Sequence, residues 1–306
     1  MTTRKITKII PALETSDGAG VRVRRSIGSM LGLRLDPFLM LDEFGTDDPN
    51  DYIEGFPSHP HRGFTTVTYM IDGRMEHRDH LGNVGNLGPG GLQWMDAARG
   101  VIHSEMPKQT EGRMRGFQLW INLPAAQKMR PASYRDFTPQ DIPEVGLAAG
   151  GSVKVLAGTA QLDGKAVPGP VNGARHDVAT DPLYLDIALP ANVSFTHPVP
   201  PGYSAFVYVY EGSVTVGDNA TQVLPVHQAG ILDDAGDEVM LRSGAQATRL
   251  ILVAGRPLGE PVEQYGPFVM NTREELAQAV HDYQAGTLTE PAPEHVRDAR
   301  RRAPDA

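Results

Sequence analysis

Two pairs of side chains able to hold a metal constrain this chain more than any other feature. They are His59 with His61 and, about forty residues later, His103 with Glu105. Within each pair one residue is skipped. In a β-strand, residues i and i+2 project from the same face, so each pair aims at one point if its segment is extended. For both pairs to reach the same point, two strands must bring their ligand faces together. Three imidazoles and one carboxylate make a mixed nitrogen and oxygen set, which suits Fe, Mn, Co, Ni, Cu or Zn better than Ca or Mg. A lone His-x-His is weak: 10 histidines in 306 residues give roughly 0.3 such pairs by chance. The weight lies in the conjunction of two pairs on strand-like segments. The bland alternative is a group of hydrogen-bonded core histidines that need no metal.

The surrounding text is β-rich. Strands are expected over residues 4–13, 21–25, 37–42, 64–71, 75–80, 92–95, 101–106 and 115–123, separated by turn dipeptides such as Asp72-Gly73. Short strands with frequent turns indicate a sandwich or barrel, and inward ligands on neighbouring strands fit a cupin-type jelly roll. The second half echoes the first. His197-Pro198 stands 138 positions after His59-Pro60, and Gly230-Ile231-Leu232 stands 139 after Gly91-Leu92-Gln93. The expected fold is therefore all-β, with two cupin (jelly-roll) barrels in tandem and a short C-terminal helix. The barrels are placed at 1–130 and 151–290, with a Pro/Ala/Gly-rich linker at 131–150 and a tail at 291–306. The helix is read from a capping box at Thr272-Arg273-Glu274-Glu275, apolar residues at helical spacing, and Gly286. The second copy has lost the ligands: Val199 takes the place of His61, and no histidine occurs in Asp237–Leu241.

Composition narrows the function. A formal charge of -9 argues against a basic nucleic-acid footprint, and the Arg-rich tail reads as a solvated helix. Cys is 0, so a metal must rely on histidine and carboxylate. The first residues are too short and broken for a signal peptide or membrane span, giving a cytoplasmic, monomeric protein as the expectation. Arg22, Arg24 and Arg25 are read as a solvated strand face. His77 is the better candidate for an outer partner of the ligands, ahead of His80. Trp94, Trp120 and Phe56 are read as core, with a substrate wall as the alternative. His176, His227, His281 and His295 are read as surface.

Several ordered motifs resemble the pirin family. They are His59-Pro60-His61-Arg62-Gly63-Phe64, Leu92-Gln93-Trp94-Met95, Arg99-Gly100-Val101-Ile102-His103-Ser104-Glu105-Met106-Pro107 and Tyr265-Gly266-Pro267-Phe268-Val269-Met270-Asn271-Thr272. Val23-Arg24-Arg25-Ser26-Ile27-Gly28 and Asp36-Pro37-Phe38-Leu39 resemble its opening segments. The resemblance covers the chain to about residue 286. It implies a bicupin with one metal, usually iron, in the N-terminal barrel, held by His59, His61, His103 and Glu105. It also implies one of two functions. The first is a quercetin 2,3-dioxygenase that opens an aromatic flavonol with O2. The second is a metal- and redox-dependent regulator that binds a transcription factor or metabolic enzyme. On the first reading Glu105 is the catalytic residue that takes the substrate proton. A closed, substrate-sized pocket over the ligands would favour the enzyme, and a flat charged surface the regulator.

Overall fold

A computed structural model describes residues 2–29, 34–218 and 222–290. The Arg-rich tail and His295 lie outside the described residues. Each half of the chain builds a seven-stranded and a four-stranded sheet, and every pairing within them is antiparallel. In the first half the large sheet runs Ser133–Phe137, Leu92–Asp96, Phe64–Asp72, Met114–Asn122, Phe38–Thr46, Val21–Arg25, Leu13–Asp17. Its small sheet runs Phe56–His61, Val101–Pro107, Met75–Asp79, Val84–Leu87. The second half repeats the small sheet as Ser194–Pro198, Glu238–Ser243, Ser213–Val216, Gln222–Pro225. The duplication read from spacing is thus a duplication of sheet order. No helix among the described residues is long and apolar enough to cross a membrane.

The strands do not divide where the sequence reading divides them. Ile6–Pro11, read as the opening of the first barrel, pairs with Gln228–Leu232 at the edge of the second half's large sheet. The stretch 131–150, read as a linker, holds an edge strand for each half. Ser133–Phe137 pairs with Leu92–Asp96, and Glu144–Gly146 pairs with Ser152–Ala157. Its Pro and Gly residues mark the turns between those strands. The helix spans Arg273–Gln284, with Thr272 at its N-cap accepting from the Glu275 amide at 3.2 Å. Its apolar side packs on the first half, where Leu276 and Val280 join a cluster with Ile102 and Leu288.

The two large sheets share one core. Val67, Phe117 and Leu119 from the first half pack with Phe206, Ile251 and Val253 from the second. Two buried carboxylates cross this interface reciprocally. Glu43 of the first half accepts the Tyr208 hydroxyl at 2.6 Å, and Asp186 of the second accepts the Tyr69 hydroxyl at 2.6 Å. Tyr210 also donates to Asp186. Burial first, and then the Asp186 charge, push Tyr69 and Tyr210 well above the usual tyrosine pKa. The unfolded chain ionises these hydroxyls near pH 10 while the fold keeps them protonated, so this contribution is intact below pH 10 and is lost as pH rises above it.

Tyr69→Phe and Tyr210→Phe should each destabilise the protein by about 1.5–3 kcal/mol in urea unfolding, because each withdraws a donor from a buried charged acceptor. The double variant should depart from the sum of the two by about 0.5 kcal/mol or more, since both hydroxyls share one carboxylate.

Candidate metal centre

The ligand geometry follows from strand register. In the small sheet of the first half, His59 stands directly opposite His103, and His61 opposite Val101. The register shifts between His103 and Glu105, so Glu105 faces Phe56. Extension does not continue from His61 into the next strand. At Arg62-Gly63 the chain leaves the small sheet and enters the large one at Phe64. Gly63 turns with φ +93°, and a Cβ there would lie 1.8 Å from the Val269 carbonyl oxygen. Only glycine fits a backbone contact that close.

The three histidines converge. Ring nitrogens of His59, His61 and His103 all lie within 4.8 Å of one another, and the Nε2 atoms of His59 and His61 meet at 3.0 Å. An outer contact sets the tautomer of His59. His59 donates Nδ1–H to the Pro57 carbonyl at 2.7 Å, which leaves its Nε2 lone pair facing the cluster. His103 Nδ1 lies 3.2 Å from His77 Nδ1, while its buried Nε2 has no hydrogen-bond partner. Burial, reinforced by neighbouring histidines, holds His61 and His103 well below the usual imidazole pKa. Both rings are therefore neutral, the form that ligates a metal. An orphaned buried nitrogen beside the His59 lone pair and the His61 ring nitrogen fits a transition metal better than a self-sufficient hydrogen-bonded core.

Glu105 lines the same cavity as His59 and His61, but falls outside the tight histidine group. It is 3% exposed, with Gln118 Nε2 3.4 Å from Oε2 and the Thr68 hydroxyl 3.2 Å from Oε1. His77 is buried and stacks on Tyr134 with ring centroids 4.3 Å apart. Its Nε2 lies 3.6 Å from Asp79. His80 is exposed, as the spacing argument allowed.

The cavity over the cluster holds about 870 Å³. Phe56 and Trp120 line it, whereas Trp94 is fully buried core. The reading of these three aromatics as core therefore holds for Trp94 alone. Arg25 also departs from the solvated strand face expected of it. Its Nε and Nη2 clamp Asp42 at 2.8 and 2.6 Å, Nη2 also meets Asp17 at 2.6 Å, and the side chain borders the cavity. Gln118, Thr68 and the cavity-lining Gln264 and Pro267 were missed, since no spacing rule links them to the histidines. His227, read as surface, donates Nδ1–H to the Glu43 carboxylate at 2.8 Å across the interface.

The second barrel is a control built into the chain. His197 pairs with Val239, as His59 pairs with His103, so Val199, Val239 and Leu241 take the places of His61, His103 and Glu105. All three are fully buried in an apolar cluster. His197 survives, and its Nε2 accepts the Gln161 amide at 3.0 Å.

His77→Gln should weaken metal binding by about 10- to 100-fold, measured by competition with a chelator, because it removes the group that orients His103. The metal-free protein should lose stability as pH falls below about 6.5. There the unfolded chain takes up protons on His61 and His103 that the fold refuses. The slope should approach roughly 2.7 kcal/mol per pH unit for the two, read from urea midpoints across pH.

Comparisons with known proteins place the chain in a family. A model of the Pirin family matches residues 20–121, and one of the Pirin C-terminal cupin domain matches residues 184–289. The chain is 54% identical over 273 residues to a Pseudomonas aeruginosa protein whose name assigns it provisionally as a quercetin 2,3-dioxygenase. That match covers 89% of this chain and 94% of the relative. A crystal structure titled quercetin 2,3-dioxygenase from Acinetobacter baumannii superposes with a TM-score of 0.83 at 33% identity, covering 94% of this chain and 99% of that one. An Escherichia coli bacterial pirin, solved in complex with nickel(II), shares the fold with a TM-score of 0.61 at 15% identity, covering 82% of this chain and 98% of that one. With both halves matched and, among the described residues, the histidine cluster found in the first, this chain belongs to the pirin family.

Proposed function

We propose that this protein is a metal-dependent dioxygenase of the pirin type that opens a flavonol such as quercetin with O2. The observation that carries this reading is the cavity of about 870 Å³ lying directly against His59, His61 and Glu105. That is the size class of small-molecule sites. A regulator that acts through a flat surface has no need of a substrate-sized recess over its ligands. The names of two relatives point to the same substrate class.

His59, His61, His103 and Glu105 would hold one divalent transition metal, iron(II) in first place, with nickel, cobalt, manganese, copper and zinc compatible with the same donors. Glu105 is a buried carboxylate with no Lys or Arg paired to it among the described residues, and such a group calls for a counter-charge. When bound, the metal supplies Lewis acidity toward a substrate oxygen and a partner for O2. Glu105 accepts the substrate hydroxyl proton within the cavity. Gln118 and Thr68 contact its two oxygens and hold the carboxylate in place. Phe56 and Trp120 offer flat apolar walls to an aromatic substrate and keep water from the reacting face.

Protein purified without oxygen and loaded with iron(II) should consume O2 when quercetin is added, in an oxygen-electrode assay. His61→Ala should lose both metal and uptake. Glu105→Ala should lower the turnover rate by about 100-fold or more. Full metal content and full rate in that variant would remove Glu105 from the mechanism. A fully loaded native protein that consumes no O2 would favour the regulator.

A further inference from the structure

Arg62 follows His61 directly, points away from the cavity wall and is 3% exposed. Its guanidinium ends on three partners from three places in the chain. Nε donates to the Arg99 carbonyl, in the turn that enters the strand of His103 and Glu105. Nη1 meets Asp282 in the carboxy-terminal helix at 2.7 Å, and Nη2 donates to the Leu288 carbonyl at 2.9 Å. The backbone repeats the tie: the Arg62 amide donates to Pro267 at 3.2 Å, and the Val269 amide to Arg62 at 3.0 Å. A second buried cation lies nearby. The Lys128 ammonium, 1% exposed, donates to the carbonyls of Gly63 at 2.6 Å and Val269 at 3.1 Å, and to Asn122 Oδ1 at 2.6 Å.

These contacts bring residues 263–288 against both ligand strands. Gly63 admits the Val269 carbonyl, and a Cβ on Gly100 would lie 2.4 Å from the Leu288 carbonyl oxygen. The same arm gives Gln264, Gly266 and Pro267 to the cavity. We infer that this carboxy-terminal arm is a wall of the metal centre, and that Arg62 is the positioning residue that locks it to the two ligand strands. The planar fork of arginine reaches three acceptors in fixed directions, which the point charge of lysine cannot do. Arg62 and the Tyr265–Thr272 motif lie far apart in sequence and serve one joint.

The inference rests on the histidine trio holding a metal, and its test reads metal binding rather than flavonol turnover. Nickel(II) affinity is measured by chelator competition on the full chain and on Arg62→Lys, Asp282→Asn, the double variant and Arg273→Gln. Arg273 is an exposed control on the same arm, paired with Glu263. The visible spectrum of each cobalt(II)-loaded protein reports the ligand field. Arg62→Lys should weaken nickel(II) binding about 10- to 100-fold and shift the cobalt(II) bands. Asp282→Asn should act in the same direction, the double variant should be no worse than Arg62→Lys, and Arg273→Gln should match the native protein. If Arg62→Lys does not fold, Asp282→Asn, which keeps the charge on Arg62, carries the test. Native affinity and spectrum in the folded variants would overturn the inference, as would a loss that only tracks the unfolded fraction seen by near-UV circular dichroism. If the native chain bound no nickel(II), the metal reading and this inference would fall together. If the native chain bound and the variants matched it, only this inference would fall.

Discussion

Across the antiparallel pair Phe56–His61 and Val101–Pro107, His59 stands opposite His103, and the candidate metal centre depends on that alignment. Side chains alternate faces along a strand, so a register slip of one residue would send a ligand pair to the outside. The pairing is supported on the His103 side. Met75–Asp79 forms a regular ladder with the strand of His103, and that ladder brings His77 next to His103. Hydrogen bonds made by the sheet thus set the positions of the histidine cluster and of His77 beside it.

The two halves show what this alignment costs and what it permits. With Val199, Val239 and Leu241 in the corresponding places, the second barrel fills its interior with apolar side chains. Each buried aliphatic side chain of that kind is worth roughly 1.5–3 kcal/mol. The first barrel forgoes that packing for three imidazoles, a carboxylate and an open cavity. Its deficit is offset elsewhere, by the sheet core shared with the second half and by the reciprocal tyrosine–carboxylate bonds across it. The apolar copy serves as a foundation for the open one.

Much of this was legible in the sequence because period-two spacing carries geometric meaning. His59, His61, His103 and Glu105 could be placed on strands from their spacing, and the repeat set Val199 in the place of His61. The tight approach of the three imidazoles, and the looser place of Glu105, needed the register shift after His103, which no local pattern announces. Strand partnership across the chain was also hidden. Ile6–Pro11 alternates like any edge strand, and nothing within it says which sheet it joins. Ser133–Phe137 and Glu144–Gly146 were masked by the Pro and Gly residues around them. Arg25 looked solvated because its strand alternates charge with valine, and only the fold brings Asp42 and Asp17 to it.

The exchanged ends of the chain bear on its synthesis. Thr7 reaches its partner Ile231 across 224 positions, and Arg62 reaches Asp282 across 220. While the ribosome is still making the second half, the first strand has no sheet to join and the wall behind His61 is missing. The first barrel is not a finished module when its own residues have emerged. A stretch made late covers the candidate site whose histidines were made early, so until then a nascent chain meets the metals of its surroundings with that site still ajar.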